Sequence, residues 1–151
     1  MCYVISACLI GNDCKYNGSN NIHHLVKGIF DKGDSLAVCP ELLAGMGVPR
    51  PRTEIQEGDG AEVICGKGRV MSEEGSDVTE QFIRGAQAAY EMAYQRGITR
   101  AILKARSPSC GFGAIYDGSF SGKLKNGNGV LAQFLVDHGF EVKTEEEVEP
   151  G

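Results

Sequence analysis

Six cysteines, at positions 2, 8, 14, 39, 65 and 110, are the residues of this chain best suited to metal or nucleophile chemistry. Cys8, Cys39 and Cys110 share a context. Each falls where an apolar run gives way to a loop holding Gly or Pro, in Cys8-Leu9-Ile10-Gly11, Cys39-Pro40-Glu41 and Ser107-Pro108-Ser109-Cys110-Gly111. Glycine at such a place lets backbone approach a bulky ligand. Three thiolates so placed could share a metal-containing cofactor. They could equally be separate core or reactive cysteines, because none belongs to the C-x-x-C pairs of zinc ribbons and ferredoxins. Cys14, in the loop after Cys8, could be a fourth ligand, a redox partner or neither. Cys2 and Cys65 lie in apolar runs that read as strands, where cysteine serves as a small packing residue.

Other polar groups adjoin these thiols. Glu41 follows Cys39 by two residues and is either a carboxylate favoured near a helix N-terminus or a general base tuned by its surroundings. Ser107 and Ser109 flank Pro108 just before Cys110, and local backbone hydrogen bonding is the simplest role for such serines. Gly111, Gly113 and the run Asn126-Gly127-Asn128-Gly129 before a helix could cradle an anion on free N–H groups. Arg50 and Arg52, in Pro49-Arg50-Pro51-Arg52, are alternative anion contacts or plain surface charges.

The elements that must position these residues alternate between strand and helix. Apolar runs predict buried strands over Tyr3–Cys8, Ser35–Cys39, Ala101–Lys104 and Phe140–Val142. Helical spacing of Ile22, Leu25, Val26 and Ile29 predicts a helix from about Asn21 to Phe30. The stripe Phe82, Ala86, Ala89, Tyr90 and Ala93 predicts a longer one, capped by Asp77 or Thr79 and ending near Gly97. Val130, Leu131, Phe134 and Leu135 predict a third, opened by Asn128-Gly129. The Gly- and Pro-rich stretch 44–60 reads as a loop, with one short helical turn after Pro40 and a possible role as a flap. Ala61–Cys65 and Arg69–Met71 around Gly66-Lys67-Gly68 read as a small hairpin, Tyr116–Ser119 as a turn, and 143–151 as an acidic C-terminal tail. The fold expected is a single α/β domain over 1–151, with a mostly parallel, Rossmann-like sheet covered by helices on both faces plus the hairpin. In such sheets ligands bind beyond the carboxyl ends of the strands. Cys8, Cys39 and Cys110 each lie at or just past one.

Composition narrows the partners. The 151 residues are 42% hydrophobic and 23% charged, close to the globular average, so a core can form without disulfide staples. A net charge of -5 argues against polymeric nucleic acid, which needs a basic face, but not against a single nucleotide. No stretch approaches the ~20 apolar residues of a membrane span. The N-terminus lacks the basic n-region of a signal peptide, so a reducing cytoplasm is expected. The sequon Asn17-Gly18-Ser19 then has no bearing on glycosylation.

Taken together, Ile5-Ser6-Ala7-Cys8-Leu9-Ile10-Gly11, Cys14-Lys15-Tyr16-Asn17-Gly18, Cys39-Pro40-Glu41, Asp77-Val78-Thr79, Ser107-Pro108-Ser109-Cys110-Gly111 and Tyr116-Asp117-Gly118-Ser119-Phe120-Ser121-Gly122 resemble the DUF523 family, in its short single-domain form. That family includes the thiouracil desulfidases, and the resemblance runs from about residue 4 to residue 140. It implies a [4Fe-4S] cluster held by Cys8, Cys39 and Cys110 with one iron open. It also implies catalytic roles for Glu41 and Ser107, and substrate contacts drawn from Ser109, Gly111, Asn17, Arg50 and Arg52. Asn17 stands where some relatives carry Asp, a difference that bears on substrate contacts. The implied reaction is a hydrolysis, without net electron transfer, of the thiocarbonyl of thiouracil, 4-thiouridine or its monophosphate, of hydrolase or lyase type. A soft sulfur suits an open iron of a thiolate-bound cluster, and water activated by Glu41 could attack the polarised carbon. The alternative is a cluster-bearing redox sensor or sulfur carrier in which Cys14 matters and Glu41 does not.

Overall fold

The computed structural model describes residues 2–150; Met1 and Gly151 lie outside the described residues. Four strands, β1 (Val4–Ser6), β2 (Leu36–Val38), β5 (Arg100–Leu103) and β8 (Glu141–Thr144), form the central sheet in the order β2-β1-β5-β8. All three pairings are parallel, with Val4 opposite both Leu36 and Ala101, and Ala101 opposite Val142. Parallel neighbours need crossover connections, and the helices supply them. They are α1 (His24–Asp31), α2 (Pro40–Leu43), α3 (Gly60–Ile64), α4 (Thr79–Gln95) and α5 (Val130–Asp137).

Side chains alternate across each strand, and the core divides accordingly. Val4, Ala101 and Leu103 pack with Phe82, Ala86 and Ala89 of α4 and Leu131 and Leu135 of α5. Ile5 and Ile102 face the other way, onto Val26 of α1 and onto Leu9 in the turn that follows β1. Both faces are therefore covered, as the near-continuous apolar runs require. From β1 the chain moves outward to β2, then returns to lay β5 on the other side of β1. That reversal opens a crevice at the carboxyl ends of β1 and β5, the usual ligand site of an open α/β sheet.

Two expected elements are corrected. Residues 61–65 are not a hairpin strand: Gly60–Ile64 is helical, because Asp59 caps it by accepting from the N–H groups of Ala61 (3.0 Å) and Glu62 (3.3 Å). The strand β4 (Arg69–Ser72) instead pairs antiparallel with β3 (Thr53–Glu57), inside the stretch expected to be loop. A second antiparallel pair, β6 (Ala114–Tyr116) with β7 (Leu124–Asn126), is joined through the turn that begins at Tyr116. Part of the acidic terminal stretch is structural. Thr144 ends β8, and buried Glu145 accepts from Ala105 N at 2.7 Å and lies 3.1 Å from Lys104 Nζ.

Candidate active site

Three strand ends and one loop anchor deliver the functional side chains. Cys8 sits in the 3₁₀ turn Ala7–Ile10 directly after β1, and Gly11 closes that turn at φ 95°, a left-handed conformation natural to glycine. Cys39 directly follows β2 and occupies the N-cap position of α2, with Pro40 at the first helical position and Glu41 in the first turn. Pro40 is seated against α4 at Gly85, where any Cβ would fall 2.2 Å from the Pro40 carbonyl oxygen. Cys110 belongs to the loop after β5.

That loop is fixed by the start of α5. The first N–H groups of a helix lack intrahelical partners, and here Val130 N donates to Pro108 O (2.8 Å) while Leu131 N and Ala132 N donate to Ser109 O (2.8 and 3.1 Å). Gly129 permits the approach, since a Cβ there would fall 2.6 Å from the Ser109 carbonyl carbon and oxygen. The anion cradle expected over Asn126–Gly129 is thereby overturned: the donors that would hold an anion are engaged by the loop that carries Cys110.

A cavity of about 380 Å³ opens at this end of the sheet. Cys8, Cys14, Cys39 and Cys110 all line it, and so do Glu41, Ser107 and Ser109. Arg50 and Arg52 line it as well, with Lys15, Tyr16 and Tyr116. Asn17 and Gly111 do not. The Asn17 carboxamide oxygen accepts from Ser19 N (3.1 Å) within its own turn. A Cβ on Gly111 would meet the Ser107 carbonyl at 2.7 Å, so Gly111 serves close packing. Cys2 packs against the main core outside any strand. Cys65, expected inside a strand, is exposed at the end of α3.

Hydrogen bonding orders the interior. Glu41 is nearly buried and receives the Ser109 hydroxyl on Oε1 at 2.7 Å; its Oε2 lies 3.4 Å from Cys39 Sγ and 3.8 Å from Arg50 Nη2. Arg50 is spent on the protein itself, donating to the carbonyls of Cys14 (2.8 Å) and Gly47 (2.9 Å). Arg52 grips Glu73 through Nε and Nη2 at 3.2 and 3.0 Å. Ser107 Oγ accepts from Cys110 N (2.8 Å) and so shapes the turn that presents that thiol. Burial pushes the Cys110 thiol up to about 12, with the Glu41 charge adding to the effect, and burial likewise raises Cys8. The Cys39 thiol lies 3.9 Å from the Cys14 carbonyl oxygen, and interaction between the two thiols holds Cys39 below the ordinary thiol value and pushes Cys14 above it.

Sequence reasoning missed four contributors. Ser6 is buried, accepts from Lys104 N at 2.9 Å and hydrogen-bonds the Cys110 thiol. Asn21 hydrogen-bonds the Cys8 thiol. Lys104 lines the cavity. Buried Glu54 accepts from the N–H groups of Gly118 (2.9 Å) and Phe120 (3.1 Å), tying the β6–β7 connection to the rim. Ser6, which ends β1 two residues before Cys8, and Lys104, directly after β5, were legible from their place at a strand end; Asn21 and Glu54 carry no such signal.

Among the described residues, no three His, Cys, Asp or Glu side chains gather closely enough to hold a single metal ion. No helix is long and apolar enough to cross a membrane. The fold and site define an α/β protein with a thiol-lined cavity at the carboxyl edge of a parallel sheet. The chain belongs to the 2-thiouracil desulfurase family, whose model matches residues 3–147. It is 39% identical over 145 residues to YbbK of Bacillus subtilis (strain 168), described as uncharacterized, covering 96% of each chain. It is similar to the solved structure of TudS, a [4Fe-4S]-dependent thiouracil desulfidase also designated DUF523Vcz, with TM-score 0.84 and 36% identity over 97% of this chain and 91% of that one.

Proposed function

We propose that this protein is an iron-sulfur-dependent, non-redox desulfidase that converts the thiocarbonyl of a thiolated pyrimidine to the carbonyl. Water supplies the oxygen and hydrosulfide leaves with a proton, so no electrons are needed. The observation that carries the reading is the placement of the Glu41 carboxylate in one cavity wall with Cys8, Cys39 and Cys110. Family membership and the likeness to TudS support it.

The donor chemistry fits a cluster. Soft sulfur donors reach one cavity from separate segments, an arrangement suited to a group of several iron atoms rather than one ion. Cys8, Cys39 and Cys110 would hold it, leaving Cys14 as a neighbour of Cys39. When bound, such a cluster supplies a soft position with affinity for thiocarbonyl sulfur. Glu41, adjoining Cys39, takes a proton from the attacking water. Ser107 has its acceptor role filled by Cys110 N and retains its own proton to offer to the pyrimidine. The site walls off solvent on the protein side, since Glu41, Ser109 and Cys110 are all at least largely buried.

For the substrate, thiouracil or 4-thiouridine is favoured over the monophosphate. The expected phosphate contacts Arg50 and Arg52 are engaged by backbone carbonyls, Glu41 and Glu73, and the α5 amides are engaged as well. A cavity of this volume lies in the ordinary small-molecule range of roughly 300–1,000 Å³. All six cysteines are unpaired, which supports a reducing compartment such as the cytoplasm. The Cys14–Cys39 contact is the observation that favours the second reading, a cluster-bearing redox sensor or sulfur carrier. Anaerobic reconstitution, followed by assay of hydrosulfide from 2-thiouracil, 4-thiouracil, 4-thiouridine and its monophosphate without reductant, separates the two. Turnover supports the desulfidase, and its failure on every thiopyrimidine supports the sensor.

A further inference from the structure

Two serines flank Pro108, and the structure gives them different work. Ser109 is 2% exposed, and its hydroxyl has one proton for two neighbours, Glu41 Oε1 at 2.7 Å and Cys110 Sγ at 3.6 Å. The shorter bond to the stronger acceptor takes it. Ser109 is itself immobilised. Its carbonyl accepts from two amides of α5, and Gly129 presses against its backbone with no room for a side chain. Glu41 is carried by α2, sixty-eight residues away in sequence, so this bond ties the loop after β5 to the segment after β2.

We propose that Ser109, expected from sequence to contact substrate, is the positioning residue for Glu41. It holds the carboxylate by Oε1 while Cys39 and Arg50 face Oε2, so that neither rotation about the last side-chain bond nor a swing toward the cavity mouth is free. Supporting contacts of this kind orient reacting groups, and their loss typically lowers activity by roughly 10–100-fold. The nearby Ser107 has a different partner, its oxygen accepting from Cys110 N. This assignment rests on Glu41 being the base of the proposed reaction.

The test uses reconstituted holoenzyme of the parent, Ser109→Ala, Ser109→Thr, Glu41→Gln and the Ser109→Ala/Glu41→Gln double variant. Ser109→Ala should lower kcat by about 10–100-fold with KM changed less than about threefold, because no ground-state substrate contact is lost. Ser109→Thr, which keeps the hydroxyl, should recover most of kcat. In the Glu41→Gln background, Ser109→Ala should add less than about twofold, since a residue acting through Glu41 has nothing left to position. A crystal structure of the Ser109→Ala holoenzyme should show the Glu41 carboxylate displaced or split between positions. The inference is overturned if Glu41 stays in its parental position in that structure, if KM rises with kcat unchanged, or if the two substitutions act additively. Should the parent act on no thiopyrimidine, the functional reading fails, while the position of Glu41 in the Ser109→Ala structure still decides the positioning claim.

Discussion

Gly28→Ala and Gly85→Ala make one chemical change in two helices and should have opposite effects. Gly28 lies on the exposed side of α1, with nothing within 4 Å of the place an added methyl would take, so alanine there gains only helix propensity, about 0.8–1.0 kcal/mol. Gly85 gains the same propensity on α4, but its Cβ would fall 2.2 Å from Pro40 O and 2.9 Å from Pro40 C, where ordinary contact begins near 3.4 Å. The obstacle is backbone, which cannot rotate aside. Relief needs α2 to back away by the missing ångström, and overpacking of this kind costs about 1–3 kcal/mol. With the clash near the upper end, net destabilisation is about 2 kcal/mol, a fall in Tm of roughly 4–8 °C for a chain of this size. Gly28→Ala should instead raise Tm by about 2–4 °C. The segment that must move carries Cys39 and Glu41, and a misplacement near 1 Å can lower a catalysed rate by about 10²-fold. Thermal unfolding followed by circular dichroism, together with hydrosulfide release by reconstituted protein, reads both effects. A Gly85→Ala protein that melts at or above the parental temperature, or turns over at the parental rate, refutes the seating of α2 on α4.

Further consequences concern the site itself. Glu41→Gln keeps size and removes the proposed base, so hydrosulfide release should fall by roughly 10²–10⁴-fold with iron content unchanged; the parental rate would rule out Glu41 as base. Replacing Cys8, Cys39 or Cys110 with Ala should abolish the visible absorbance and iron of a preparation that otherwise holds about four irons per chain. Cys2→Ala and Cys65→Ala should leave both intact, and an essential Cys2 would show the ligand assignment to be wrong. Cys14→Ser should retain iron and substantial activity. Loss of iron in that variant would make Cys14 a ligand.

Much of this was readable in the sequence for identifiable reasons. β1 and β5 are buried on both faces and, with β2, read as continuous apolar runs, and the Phe82–Ala93 stripe marked out α4. Since ligands gather beyond strand carboxyl ends, Cys8, Cys39 and Cys110 were legible as candidates for one shared site, with separate core or reactive cysteines the open alternative. β3 escaped because Thr53-Glu54-Ile55-Gln56-Glu57 is polar at most positions and its buried Glu54 is satisfied only by amides of a distant turn. α3 was hidden by the short run Ala61–Ile64, which fits strand or helix alike; the deciding signal was the cap at Asp59. The roles of Ser107 and Ser109 could not be separated locally, since one partner is three residues away and the other sixty-eight. Gly85 carries a signal of its own in the sequence: an isolated glycine inside a helical pattern usually has a packing reason.

The most direct test of the central claim is a turnover in heavy-oxygen water. Anaerobically reconstituted protein is mixed with thiouracil in the absence of any reductant, hydrosulfide is titrated, and the pyrimidine product is weighed by mass spectrometry. Hydrolysis at the Cys8, Cys39 and Cys110 site predicts uracil carrying the heavy oxygen, with hydrosulfide formed in equal amount. Uracil without the label, a requirement for added electrons, or unchanged thiouracil would contradict the account.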